Sequence, residues 1–293
     1  MKKIIWILLL LTGAVACNNN GNRSDAYGNF EATEVMVSAL AQGELLSLDL
    51  EEGDRLEKGQ IVGLVDTTDL WLKKEQLLKS IAAVQTRLVT IKAQMDVQQQ
   101  QKKNLLVDKG RLENLFNDGA ATQKQMDDIN GAIDLVDAQI TATRSQQQQV
   151  EAEIQTIYIQ IDQVREAIDR CFVTNPVAGT VLVKYAEAGE VATPAKPLYK
   201  IADLRTMKLK IYVSGYQLPH IKIGQNVEVQ FDKTKKENTS LDGTVSWISS
   251  TSEFTPKTIQ TKDERVNLVY AVKVAVPNDG SIKIGMPGEV NFK

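Results

Sequence analysis

The residues in this 293-residue chain that could do chemistry are few, and their spacing argues against a catalytic centre. His220 is the only histidine, so neither a Ser-His-Asp triad nor a multi-histidine metal site can be assembled. No glycine-rich loop ending in Lys-Ser or Lys-Thr is present to cradle a nucleotide phosphate. The acidic pairs Glu51-Glu52 and Asp127-Asp128 are adjacent in the chain and so are not arranged on one face for paired acid and base roles. Cys17 and Cys171 are the only cysteines, too few for a disulfide framework. The expectation is therefore no enzyme, no metal and no cofactor. A net charge of −3, falling to −5 if Lys2 and Lys3 leave with a leader, argues against nucleic acid, which requires a basic face. What remains is a protein that works by binding, and its elements must say where.

Those elements are dominated by two heptad patterns between Leu70 and Ile168. Leu70, Leu77, Val84, Ile91, Leu105 and Leu112 recur at multiples of seven, with Ile81, Leu88, Met95 and Phe116 at the alternate seam position. A second pattern runs Met126, Ile129, Ile133, Val136, Ile140, Thr143, Gln147, Val150, Ile154, Ile157, Ile161, Val164, Ile168, in strict alternation of three and four. Each predicts a continuous helix about 70 Å long, too long to fold into one globular core. Gly119, between Asn117-Asp118 and Ala120-Ala121, is where the backbone can reverse, which predicts an antiparallel helical hairpin over 67–171 with its tip at about 117–122. Thr67-Thr68-Asp69 supply helix-capping oxygens at its start. Cys171, three residues past Ile168, reads as a small buried hydrophobe on the seam. The glutamine runs 98–101 and 146–149 mark a polar stretch mid-rod.

Residues 1–16 have the layout of a secretory signal: Lys2-Lys3, an apolar run from Ile4 to Leu11, and small residues up to Ala16. Ala14-Val15-Ala16-Cys17 resembles the lipobox of bacterial lipoproteins, which implies that Cys17 is acylated and becomes the N-terminus. Residues 17–29 then read as a lipidated tether.

On either side of the rod lie two short strand-and-turn segments, 30–66 and 172–204, that match at a constant offset. Gly43 pairs with Gly179, Leu45 with Val181, Gly53 with Gly189, Asp54 with Glu190, Val62 with Leu198 and Val65 with Ile201, each 136 positions later. The rod is thus an insertion in one small β domain. Residues 205–293 alternate apolar and polar on five or six short strands, including Leu209, Ile211, Val213, then Val227, Val229, Phe231, then Val245 and Trp247, which predicts a small barrel or sandwich.

Half-motifs of the form G-x-L…E-G-D…K-G-Q and G-x-V…A-G-E…P-L, split by a heptad hairpin, resemble the split lipoyl-like domain of the HlyD-type periplasmic adaptors, or membrane fusion proteins. The run Glu253 to Arg265, with Gly224-Gln225-Asn226-Val227 and Gly285-Met286-Pro287-Gly288, resembles the branch that partners ABC-type exporters. The implied fold is α+β and elongated: a long antiparallel coiled-coil hairpin inserted in a split lipoyl-like β domain, followed by a small β-barrel. The lysine triplet of true carrier domains is missing at the turns, so no prosthetic group is expected. Arg111, Leu115 and Thr122 have the spacing R-x3-L-x6-[S/T] and resemble the tip motif that docks a TolC-like outer-membrane channel. In the alternative reading, Thr122 caps the second helix and Arg111 pairs with an acidic neighbour. Glu253, Lys257, Lys262, Asp263 and Arg265 form a candidate transporter-contact loop. The resemblance implies an inner-membrane partner of ABC type and a homo-oligomeric ring, commonly of six. It also implies location in the periplasm of a Gram-negative bacterium, lipid-anchored to the inner membrane. An adaptor of an RND pump, or a structural coiled-coil lipoprotein, remains the competing expectation.

Overall fold

The computed structural model describes residues 24–234, 237–254 and 268–292. Its strands and helices run in the order β1 (Ala26–Glu31), β2 (Glu34–Ser38), β3 (Gly43–Leu48), β4 (Arg55–Leu56), β5 (Ile61–Val65), α1 (Thr68–Asn117), α2 (Gln123–Asp169), β6 (Phe172–Thr174), β7 (Gly179–Lys184), β8 (Val191–Ala192), β9 (Pro197–Ala202), β10 (Thr206–Ser214), β11 (Asn226–Thr234), β12 (Glu237–Phe254), β13 (Leu268–Pro277) and β14 (Pro287–Phe292). No described helix is long and apolar enough to cross a membrane.

Helices α1 and α2, of 50 and 47 residues, pack antiparallel as the heptads require. The buried side chains of α2, from Ile133 to Val164, all fall on the predicted seam, and Ile81 and Val84 of α1 meet Val150, Ile154, Ile157 and Ile161. Ion pairs Arg87–Glu153 and Lys102–Asp137 cross between the helices at the stagger the apolar seam imposes. Mid-rod the seam turns polar. Thr143 is buried, and Gln98 turns its Oε1 inward without a hydrogen-bond partner among the described residues. The start of α1 is satisfied differently from expectation: Thr67 makes no side-chain cap, and Asp66 instead accepts from the Thr68 backbone N–H and hydroxyl at 2.9 and 2.6 Å. Those bonds hold the Asp66 carboxyl below its ordinary pKa.

The β domain is a sandwich of two four-stranded sheets, ordered β2-β9-β7-β4 and β6-β5-β3-β8. Each sheet takes strands from both half-motifs, so neither half can complete its hydrogen bonding alone. The turn glycines Gly53 and Gly189 occupy matching left-handed positions at φ 97° and 90°. Gly43 and Gly179 instead serve close approach: a Cβ would lie 2.9 Å from the Val65 side chain and 2.6 Å from the Ala202 carbonyl oxygen. Cys171 is fully buried, but within this sandwich core and not on the hairpin seam, and burial raises its thiol pKa. Asn175, also fully buried, ties the halves together. Its amide donates to the carbonyls of Glu57 and Val177 at 2.8 and 2.7 Å, and its Oδ1 accepts from the Tyr199 hydroxyl at 3.1 Å. Burial pushes the Tyr199 phenol up to about 12. The folded chain therefore keeps this proton where the unfolded chain loses it, so stability is intact below pH ~10 and falls as pH rises from ~10 toward 12. A urea midpoint that fell no faster over that range in wild type than in Tyr199→Phe would contradict this.

The third unit is a closed six-stranded barrel, β1-β10-β13-β12-β11-β14. Here two sequence expectations differ from the structure. Residues 26–31 are neither tether nor lipoyl-like strand: β1 lies in the barrel between β10 and β14, with Phe30 fully buried against Phe231. The barrel cannot close from residues 205–293 alone, because the five strands they supply leave β10 and β14 with open edges. Trp247 does not continue the inward alternation of Val245. A register shift between the two turns the indole outward, where Lys273 sits 5.5 Å from its ring.

Candidate functional site

The apex of the hairpin is built by two termination motifs placed back to back. Helix α1 ends on Gly119, at φ 74°, with Gly119 N–H donating to the Phe116 carbonyl at 3.0 Å and Ala120 N–H to the Leu115 carbonyl at 2.8 Å, a Schellman arrangement. Helix α2 begins on Thr122 with a capping box: the Gln125 N–H donates to the Thr122 hydroxyl at 3.4 Å, and the Thr122 N–H to Gln125 Oε1 at 2.8 Å. Only three residues, Gly119 to Ala121, separate the two caps, and this compactness brings Arg111, Leu115 and Thr122 to one end of a rod.

Their roles at that end are unequal. Arg111 is largely exposed, at 76% of its side chain, and one guanidinium nitrogen lies 3.2 Å from Asp108. An exposed pair one helical turn apart is weakly held, so the guanidinium is available to an acceptor from outside. Leu115 is half exposed, an apolar group presented to solvent. Thr122 is exposed but committed to its own helix: its hydroxyl accepts from Gln125 N–H and donates to Gln125 Oε1 at 3.0 Å. The local features expected of a solvated tip are thus present alongside two side chains free to bind. Replacing Thr122 by Ala should cost about 1 kcal/mol of helix stability, with Thr122→Ser nearly neutral. Faster amide exchange at Gln123 to Gln125 in the Ala form would check it.

Phe116 is the residue that sequence reasoning misplaced. It continues the heptads, yet it is 39% exposed beside Leu115. At the stagger that Arg87–Glu153 and Lys102–Asp137 mark, the polar Gln123 and Lys124 of α2 stand level with it. Arg111, Leu115 and Phe116 together form the exposed tip.

The other candidate positions lie elsewhere. Glu253 is at the end of β12, 3.4 Å from Lys210 Nζ. Cys17, Lys257, Lys262, Asp263 and Arg265 fall outside the described residues. His220 is exposed in a single 3-10 turn over Leu218–His220. Lys184, with a side chain only 9% exposed, bridges Glu51 at 3.2 Å and Glu187 at 2.7 Å, pinning together the two matching turns of the sandwich. Its ammonium pKa is raised, first by the Glu187 hydrogen bond.

With hairpin, sandwich and barrel placed, the chain can be compared with known proteins. Residues 203–290 match the family model described as LcnD-like, C-terminal domain. The crystal structure of MacA from Actinobacillus actinomycetemcomitans superposes with a TM-score of 0.63 at 22% identity, over 94% of this chain and 80% of that one. The membrane fusion protein Spr0693 from Streptococcus pneumoniae R6 superposes with a TM-score of 0.55 at 16% identity, over 91% and 97%. The chain has the membrane fusion protein fold. A UPF0194 membrane protein of Yersinia pseudotuberculosis (strain YPIII) is 26% identical over 324 aligned residues, covering 99% of this chain and 98% of the relative. In this chain the hairpin tip is the part of the rod farthest along the chain, in both directions, from the β domain that holds it.

Proposed function

We propose that this chain is the periplasmic adaptor of a tripartite export system, anchored through lipid on Cys17. Its β domains rest on an inner-membrane transporter of ABC type, its hairpin tip docks a TolC-like outer-membrane channel, and several copies form a ring. The observation that carries this reading is the attachment of the rod. Both ends of a hairpin about 70 Å long enter one sandwich whose sheets interleave the two half-motifs. The apex is therefore the only end free to meet a distant partner, and it presents Arg111, Leu115 and Phe116. Arg offers a planar fork of donors to carbonyls at a helix end, and the apolar pair offers area to bury. The sandwich and barrel would pass the transporter's conformational cycle to the rod, and the energy would come from the partner.

Affinity purification of the tagged chain from crosslinked membranes tests the reading. It should bring down a permease with its ATPase and an outer-membrane channel. A proton-driven pump in their place would keep the adaptor function and move the chain to the RND branch. Recovery of neither transporter nor channel would sink the proposal in favour of a structural coiled-coil lipoprotein.

A further inference from the structure

The chain enters the barrel much closer to Cys17 than a long tether would allow. Ser24 Oγ donates to Glu289 Oε2 at 2.5 Å, and Asp25 N–H to the Val290 carbonyl at 3.0 Å. The Asp25 carboxylate accepts from Phe292 N–H, and its carbonyl from Gln217 Nε2, both at 2.9 Å. Only seven residue steps separate Cys17 from Ser24, so their Cα atoms can be at most about 25 Å apart whatever path joins them. That span is shorter than the nine-residue strand β10, about 30 Å.

Strand direction then decides which rim of the barrel is held there. Neighbouring strands are antiparallel throughout, so the start of β1, the end of β10, the start of β11, the end of β12 with Glu253, the start of β13 and the end of β14 share one rim. The links to the sandwich, between β1 and β2 and between β9 and β10, leave from the opposite rim. Strands β10 and β11 are not neighbours in the barrel, so the connection between them crosses the Ser24 rim. Leu218 and Ile221 of that connection pack onto the barrel core. Its outer side shows Tyr216, 80% exposed, Ile223, 67% exposed, and the exposed Lys222.

We propose that this rim is a membrane-resting face, with Tyr216, Ile223 and Lys222 lying in the headgroup layer of the bilayer that holds Cys17. A tyrosine places its apolar ring and polar hydroxyl at a water–lipid boundary, an isoleucine gains by leaving water, and a lysine buries its stem while its ammonium meets lipid phosphate. The inference rests on the proposed acylation of Cys17, and the rim would then fix the orientation of the whole adaptor, with the sandwich and rod directed away from the membrane.

The test uses the full mature chain in vesicles of phosphatidylethanolamine and phosphatidylglycerol, with a fluorophore on Tyr216→Cys, Ile223→Cys or, as control on the opposite rim, Asp279→Cys. Cys171 is fully buried and does not compete for label. Headgroup-region nitroxide lipids should quench positions 216 and 223 at least threefold more than 279, and Lys222→Glu should reduce that quenching. Equal, weak quenching at all three positions would overturn the membrane face. If metabolic palmitate labelling still marks Cys17, the anchor reading survives that failure; if Cys17 carries no acyl group, the leash and the face fall together. Shielding of 216 and 223 from aqueous iodide only when the transporter is present, without lipid quenching, would also overturn the proposal and identify the rim as a protein contact.

Discussion

On the proposed docking role, a chain carrying Arg111→Asp is expected to mature and fold like wild type yet lose export by at least tenfold, together with crosslinking of the tip to the proposed outer-membrane channel. The fold is insulated from the change because Arg111 is largely exposed and its one partner is Asp108 on the preceding turn, a pairing that contributes little. A carboxylate at this position would face the same carbonyls that a guanidinium would bind, so attraction becomes repulsion between like partial charges. Leu115→Asp should act in the same sense by putting a charge where apolar area would be buried, and it too leaves the seam intact because Leu115 faces solvent. Thr122→Ala is the informative contrast. If it lowers helix stability by about 1 kcal/mol while export holds, Thr122 serves the tip through its cap. Full export by Arg111→Asp, with undiminished crosslinking, would remove the docking proposal.

Gly28→Ala should damage the barrel severely, costing more than about 4 kcal/mol. A Cβ on Gly28 would sit 1.8 Å from the Lys210 carbonyl oxygen and 2.8 Å from Ile211 Cα, all main-chain atoms of the paired strand. Relief by sliding away is blocked, because Gly28 is also paired with Gly288 on the other side. The outcome is expulsion of β1, which exposes Phe30 and opens two strand edges. Gly53→Ala provides the scale: nothing lies within 4 Å of its Cβ position, and only the left-handed φ of 97° opposes the change, at about 1 kcal/mol. Urea unfolding followed by Trp247 fluorescence, with Trp71 replaced by Phe, reads the barrel directly. A Gly28→Ala midpoint equal to that of wild type would mean that β1 is not part of the barrel.

The rod was legible in the sequence because a heptad repeat is a local rule: each apolar residue needs only its neighbours three and four positions away to define a stripe, and two stripes around one glycine define a hairpin. That two half-motifs make one β domain was legible for a different reason, the offset between Gly43 and Gly179 and between Gly53 and Gly189, since matching backbone demands recur in matching halves; that their strands interleave in both sheets was not. Arg111, Leu115 and Thr122 were singled out by the resemblance of R-x3-L-x6-[S/T] to an adaptor tip motif, and the reversal at Gly119 put them near the apex. Three more things needed the fold. Phe116 left the seam at the end of α1, where, at the stagger marked by ion pairs 66 and 35 residues apart in sequence, polar Gln123 and Lys124 stand level with it. Cys171 moved from seam to sandwich core for a similar reason, since helix α2 ends at Asp169 and the next residues turn into β6.

The third is β1. By itself the sequence determined the rod and its periodicity, the pseudo-symmetric frame and the absence of residues spaced for a catalytic triad. Only the tertiary structure decided that residues 26–31 complete a barrel whose other five strands begin at Thr206. Strand pairing across 180 residues depends on edges that remain open until the rest of the sheet exists, and no local pattern in six residues records which edge they will fill.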